Sequence, residues 1–314
     1  MTTSDTLSIA AALPSAQTRS LPVRLLHRWW PLLVFLLLLG IGWEATKLVG
    51  GQAIKIDTVI LGQTVQTTYK PPLKFKFAND LNLPHLWDIV GALGRPAQRG
   101  GPPLLLVLLD GAFFTFRVAL VGFALGSSLG LLLAVLLIRS KLLNRALVPF
   151  IVASQTIPIL VIAPMVVIWL RAGWFSIAII AAYLSFFPVT VSALRGLRAF
   201  SPEMLDLLQT YAASPLEIIR HLRVPAAMPY LFVGFKIAAT ASIIGTIVGE
   251  LPSGISEGLG SLVLTFAQYY STGPAKLWAC ILVVAGLGIT TFLIVQVIEM
   301  VALRNYPRRP DTTA

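Results

Sequence analysis

Charge is scarce in this chain. Only 12% of its 314 residues are Asp, Glu, Lys or Arg, against roughly a quarter in a soluble domain. Cysteine is scarcer still. Cys280 stands alone, which excludes a disulfide within the chain and a thiolate metal cluster. The three histidines, His27, His85 and His221, are too far apart in sequence for ligand spacing. No G-x-x-x-x-G-K-[ST] phosphate loop occurs, so the chain does not hold ATP in that manner. A Ser/His/Asp set or paired carboxylates are also missing, which argues against a membrane-bound enzyme. No catalytic residue, metal or cofactor is expected.

Apolar residues are plentiful, at 56%. A bilayer crossing takes about 20 of them. Six stretches are long enough, at about 31–50, 111–138, 147–170, 174–194, 229–251 and 277–302. The expected fold is all-α and integral to the membrane, with about six transmembrane helices. The first 30 residues are polar and end in Arg24, His27 and Arg28. The apolar run after them is long for a signal-peptide core and no convincing small-residue cleavage site follows it. An uncleaved first helix is expected.

The net charge is +11. In a soluble protein that would suggest nucleic acid as a partner. Here it reads as topology, because Lys and Arg are retained in short cytoplasmic loops. Arg19, Arg24 and Arg28 precede span one, and Arg139, Lys141 and Arg145 lie between spans two and three. Arg195, Arg198, Arg220 and Arg223 lie between four and five, and Arg304, Arg308 and Arg309 follow six. The alternate short loops hold only Arg171 and, at one edge, Lys276. Both tails, 1–30 and 304–314, are therefore expected in the cytoplasm. Residues 51–110 are too long a loop for the charge rule and are placed on the outer face. Within them, Thr58 to Thr68 suits an extended segment or small hairpin. Pro84 to Leu93 suits a short amphipathic helix opening at proline, and Arg95 to Pro103 is turn-rich.

Pro158 and Pro164 interrupt span three, and Pro188 interrupts span four. Each removes a backbone hydrogen bond. Such breaks persist where neighbouring helices or a wet cavity satisfy the freed carbonyl. A pathway lined by broken helices and ordinary proline tolerance both fit. Gly122, Gly126 and Gly130 form overlapping small-xxx-small repeats, a packing signal.

Residues 201–225 carry the densest local signals. Ser201 is an N-cap with Pro202 at the first helical position, and Glu203 sits where the helix dipole favours an anion. Ala212, Ala213 and Ser214 form a break. Ser214-Pro215-Leu216-Glu217 is a capping box. The second helix is expected to end before Pro225, since proline disfavours helical geometry at Val224. Leu205, Leu208, Leu216 and Ile219 are too few for a domain core but suit a groove on another protein. A DNA-binding helix-turn-helix is disfavoured by Glu203, Asp206 and Glu217 and by tethering to the bilayer on both sides. A plain amphipathic connector fits equally well.

This segment resembles the cytoplasmic "EAA" loop of ABC importer permeases, through Asp206-Leu207-Leu208, Ala212 and Leu222-Arg223-Val224-Pro225. It departs from that pattern with Asp for Glu, two leucines for two alanines and Ala212 for the usual Gly. The likeness to the nitrate/sulfonate/taurine branch runs from about Thr115 to Tyr306. It takes in Arg117 with Gly122, Pro158, Pro164, Phe187-Pro188, Pro225 to Pro229 and Gly234-Phe235-Lys236. It continues through Val248-Gly249-Glu250, Gly258-Leu259-Gly260 and Gly286.

The resemblance implies a type I ABC importer permease fold over residues 111–303, with coupling helices at 201–225. It implies that Glu203, Asp206, Ala212, Ala213, Ser214, Pro215, Glu217, Arg220 and Pro225 contact a cytoplasmic ABC ATPase. An extracytoplasmic substrate-binding protein and a second permease chain, in a homodimer or paired with a homologue, are the other expected partners. The location implied is the cytoplasmic membrane of a prokaryote.

Three charges lie in or near the spans. Lys236 suits snorkelling to the cytoplasmic interface, and Arg117 the same on the outer side. Glu250 suits either the pathway, with Pro158 and Pro164, or a boundary in contact with outer water. The run from Gln268 to Ala279 is similar to permeases for riboflavin or pyrimidine vitamin precursors. Sulfonate, taurine, nitrate and bicarbonate stand as alternatives. Tyr269, Tyr270 and Trp278 fit an interfacial aromatic belt as well. An autonomous secondary transporter or channel would show an inverted repeat and ionisable residues near the midplane, and neither is seen.

Overall fold

The computed structural model describes residues 21–304 and 306, apart from 53, 61, 62, 74 and 77. The expected tails therefore lie largely outside the described residues. The chain divides into two compact units, residues 1–86 and 87–314.

In the first unit, α1 (Leu21–Gly50) is a 30-residue helix with Pro31 inside it. Phe35, Leu36, Leu37, Leu38, Leu39 and Ile41 are exposed around it. A helix apolar on all sides suits lipid. Next comes an antiparallel hairpin of β1 (Ile54–Ile60) and β2 (Gln63–Tyr69), in register from Ile54↔Tyr69 to Ile60↔Gln63. It is the small hairpin that the β-branched run allowed. The returning segment is fastened to the end of α1. Trp43 Nε1 donates to the Pro84 carbonyl at 2.9 Å. Lys47, fully buried, pairs with Asp80. Glu44 meets His85 at 2.9 Å and accepts the Leu86 N–H at 2.6 Å.

The second unit starts within α2 (Leu86–Gly94), the expected short helix. The membrane part follows with α3 (Leu104–Arg139), α4 (Lys141–Ser154), α5 (Ile159–Leu170) and α6 (Trp174–Gly196). After α7 (Pro202–Thr210) and α8 (Pro215–Ile218), a π turn at Ile219–Arg223 leads into α9 (Val224–Ser253). Then come the ten-residue α10 (Leu259–Gln268) and α11 (Pro274–Ala302). Four helical stretches are long and apolar enough to cross a membrane: α3, α6, Pro215–Ser253 and α11. Counted as one span, the bent α4–α5 pair gives a fifth, against the six expected.

The third span is not one helix. It bends by 96° between α4 and α5. Pro158 has no N–H to offer the Ser154 carbonyl four residues back. The Tyr183 hydroxyl of α6 donates to that carbonyl instead. A second proline follows the same rule: Pro229 frees the Pro225 carbonyl, and the Tyr306 hydroxyl takes it.

Helix α6 forms the centre, with 56% of its apolar window buried, against 6% for α11. Glycines permit this. A Cβ on Gly126 would lie 2.5 Å from the Ala182 carbonyl oxygen of α6, and one on Gly245 of α9 would lie 2.8 Å from Ala181 Cα. The stripe on α3 is therefore the helix-packing surface its spacing predicts. Ala134, Ala193, Leu197 and Ala227 close the layer between α3, α6 and α9. Lys236 of α9 does not simply snorkel. Its Nζ pairs with Glu299 of α11 at 2.8 Å and lies 5.9 Å from the Phe292 ring centroid. A lone charge in such a helix costs roughly 2.5–3.5 kcal/mol, which the pairing offsets.

Candidate functional site

Two features combine polar chemistry with a defined place in the fold. They are the α7–α8 pair and a buried carboxylate at the far end of α9.

The α7–α8 pair is built from local caps. Ser201 Oγ accepts the Met204 N–H at 3.4 Å, with Pro202 and Glu203 in the first turn. At the other end, the Ala212 N–H reaches the Gln209 carbonyl at 2.9 Å and the Ala213 N–H reaches the Leu208 carbonyl at 3.0 Å. That is a Schellman closure. It puts Ala212 at φ 53°, a left-handed conformation that glycine adopts without strain. Glycine is the usual residue there in the loop that this segment resembles.

Ser214 then starts α8. Its Oγ accepts the Glu217 N–H at 3.4 Å, and Glu217 Oε2 accepts from the Ser214 N–H and Oγ–H, both at 2.7 Å. The expected capping box is present. Continuous helix from Pro215 to Ser253 is 39 residues, or about 58 Å at 1.5 Å per residue. That exceeds the roughly 30 Å hydrocarbon thickness, so part of the stretch extends beyond it; Glu217, in the first turn, is exposed. The Ser214 backbone N–H and then its hydroxyl hold the Glu217 carboxyl below its usual 4.5.

The helix does not end before Pro225. Val224 is helical, at φ −65° and ψ −48°. Its N–H reaches back to the Ile219 carbonyl in a π turn. That longer bond shifts the ladder by one residue and carries it past the proline. Arg220 is exposed on this turn, Leu222 is buried, and Arg223 stacks over Phe200 at 4.9 Å.

The exposed apolar stripe is not the one expected. Leu205, Leu208 and Ile219 are half-buried. Met204, Leu207 and Tyr211, at i, i+3 and i+7, are 56%, 56% and 76% exposed, and Leu216 is 71% exposed. Glu203 and Asp206 are exposed beside them. The exposed residues keep helical spacing but lie on a different face of α7. Only Leu216 of the original four faces out.

At the far end, Glu250 is 1% exposed. Its Oε1 accepts the Thr115 hydroxyl of α3 at 2.8 Å, and its Oε2 accepts the Gly260 N–H of α10 at 2.6 Å. Thr115 Oγ1 in turn accepts the Leu259 N–H at 2.9 Å. The carboxylate thus caps the N-terminus of α10, directly and through Thr115, where the helix dipole favours an anion. Gly258 supplies no cap of its own. A Cβ on Gly258 would collide with the carboxylate, and one on Gly260 would lie 2.5 Å from the Ile247 carbonyl oxygen. Glu250 is therefore not a boundary group in water.

Pro158 precedes α5 as its N-cap residue and Pro164 lies inside it; the helix packs through Ala163 and Val167 on Ile180 of α6 and Val248 of α9. Among the described residues, no hydrogen bond joins them to Glu250. Thr115 and Glu299 carry no local sequence signal, because their partners lie 135 and 63 residues away.

The family described as "Binding-protein-dependent transport system inner membrane component" matches residues 126–300. The chain belongs to this family. It is 31% identical, over 69% of its length and 90% of the relative's, to the formylaminopyrimidine transport permease protein ThiX of Halalkalibacterium halodurans. It is 28% identical, over 70% of its length and 83% of the relative's, to the putative aliphatic sulfonates transport permease protein SsuC of Bacillus subtilis. A probable ABC transporter permease protein of Haemophilus influenzae is 40% identical over 46% of this chain and 58% of the relative. The protein is a multi-pass ABC importer permease of the sulfonate/nitrate/taurine-like branch. It has the type I permease fold, and the relatives named are permease components of ABC transporters.

Proposed function

We propose that α7 and α8 are the coupling helices through which a separate cytoplasmic ATPase drives this permease. The exposed stripe of Met204, Leu207, Tyr211 and Leu216 on a fully capped helix pair supports this reading most directly. Apolar side chains at helical spacing suit a groove on a partner. The caps preform the surface, which lowers the ordering cost of docking. Glu203, Asp206, Glu217 and Arg220 give the rim its charge. The α7–α8 end faces the cytoplasm together with both termini, as the Arg and Lys distribution supports. Two copies of the chain form the pathway, and an extracytoplasmic protein delivers the solute.

The test is co-purification with the ATPase. Leu207→Asp or Tyr211→Asp, and Glu203→Arg or Asp206→Arg, abolish complex formation and uptake together. Full assembly in all four variants overturns the reading.

For cargo we propose a planar pyrimidine-type vitamin precursor. The Gln268–Ala279 run supports it, as does the 90% coverage of the formylaminopyrimidine permease. Calorimetry on the associated binding protein decides. Tight binding of formylaminopyrimidine is expected, and selective binding of an alkyl sulfonate or taurine overturns it.

A further inference from the structure

We infer that Glu250 and Thr115 are positioning residues. They fasten α10 to the outer end of the Pro215–Ser253 rod, so that a displacement of α8 is delivered to α10. The inference rests on the coupling role proposed for α7–α8.

The rod carries the capping box at one end and Glu250 near the other, within one 39-residue helical stretch that includes the π turn and Pro229. A helix transmits displacement along its axis through its hydrogen-bonded turns; in this one the π turn keeps the ladder going, and the carbonyl freed by Pro229 is held by the Tyr306 hydroxyl. Helix α10, with ten residues, is too short to be held by crossing the bilayer. Its place is set by what grips it. Its N-terminal N–H groups are gripped by a carboxylate on the rod and a hydroxyl on α3. All three hydrogen bonds are buried. Opening such a knot would leave polar groups unpaired in a dry interior, at about 1–3 kcal/mol each. The knot therefore stays closed and α10 follows the rod. Ile255, in the link between α9 and α10, adds a second fastening by accepting the Ser261 hydroxyl on its carbonyl. The glycines at 258 and 260 leave the room that the carboxylate occupies.

The test uses the full complex with its ATPase in proteoliposomes and needs no cargo. Tyr269 at the end of α10 is 66% exposed, and Tyr269→Cys is the reporter for a membrane-impermeant maleimide. The native Cys280 is fully buried and silent. Between the nucleotide-free and ATP–vanadate states, the labelling rate at 269 changes by about tenfold. In Glu250→Gln or Thr115→Val that response disappears, while complex assembly and ATP hydrolysis persist. Thr115→Ser restores it, and the double variant loses no more than the worse single, because the groups act as one network.

A response that survives in Thr115→Val overturns the inference, and so does a reporter that never responds in an assembled, hydrolysing parent complex. Thr115→Val removes only a hydroxyl and carries the test alone if Glu250→Gln does not accumulate. Failure of the coupling reading shows differently, as charge-reversed Glu203 variants that still assemble.

Discussion

Two glutamates on one helical rod each cap a helix, and they do it in opposite ways. Glu217 caps the helix it belongs to, from three residues away and in open water. Glu250 caps a helix that begins nine residues further along, buried and with the help of a threonine 135 residues away in sequence. The exposed cap shapes a surface and contributes little to holding the molecule together. The buried one joins three segments and has no water to replace a lost partner. At the α7–α8 end the fold presents a preformed, apolar, replaceable surface. At the other end it fastens the start of a short helix whose N–H groups at Leu259 and Gly260 would otherwise go unpaired.

The contrast breaks most visibly at Glu250. Glu250→Ala strands the Gly260 N–H and the Thr115 hydroxyl, and the expected loss is about 3 kcal/mol, read as a lower unfolding temperature in detergent. The Lys236–Glu299 pair asks whether long sequence separation carries this weight elsewhere. Lys236→Met or Glu299→Gln alone costs about 2 kcal/mol, less than a fully buried pair because both side chains keep some exposure. The double variant costs less than either single, and a thermal-unfolding cycle measures it.

The local end responds more mildly. Ser214→Ala removes a cap and costs about 1 kcal/mol. Ala212→Gly relieves the positive φ and gains about 1 kcal/mol, read as greater protection from proteolysis in the 201–225 loop. The smallest effect is that of pH on Glu217. Its carboxyl is held below 4.5 in the fold, so the cap is complete above the unfolded value. It is lost only as pH falls through the lower folded one. ATPase docking is therefore expected to be unchanged between about pH 6 and pH 8, by pull-down at each pH.

What could be read in advance follows the same division. Ser201, Pro202, Ser214 and Glu217 announce their roles within four residues, and the structure realises both caps. The hairpin at 54–69 and the helix at 86–94 also come from local residue preferences. The helix runs past Pro225 for a physical reason. A π turn shifts the bonding by one residue, so Pro225 is carried inside the helix rather than ending it. The exposed stripe differs from the expected one because helical spacing fixes which residues share a face, but not which face the rest of the chain covers. The Tyr183–Ser154 and Tyr306–Pro225 bonds follow from prolines whose freed carbonyls had to find a donor. The need was legible, but the donors, 29 and 81 residues away, were not. The same holds for Thr115 and Glu299, whose partners lie on other helices.

The most direct test of the account is co-purification of the ATPase with the full-length permease carrying Leu207→Asp, beside Leu205→Asn as a half-buried control on the same helix. The account predicts that Leu207→Asp loses the ATPase while the membrane fold and its unfolding temperature are kept, and that Leu205→Asn keeps the ATPase. Undiminished ATPase binding by Leu207→Asp would contradict it.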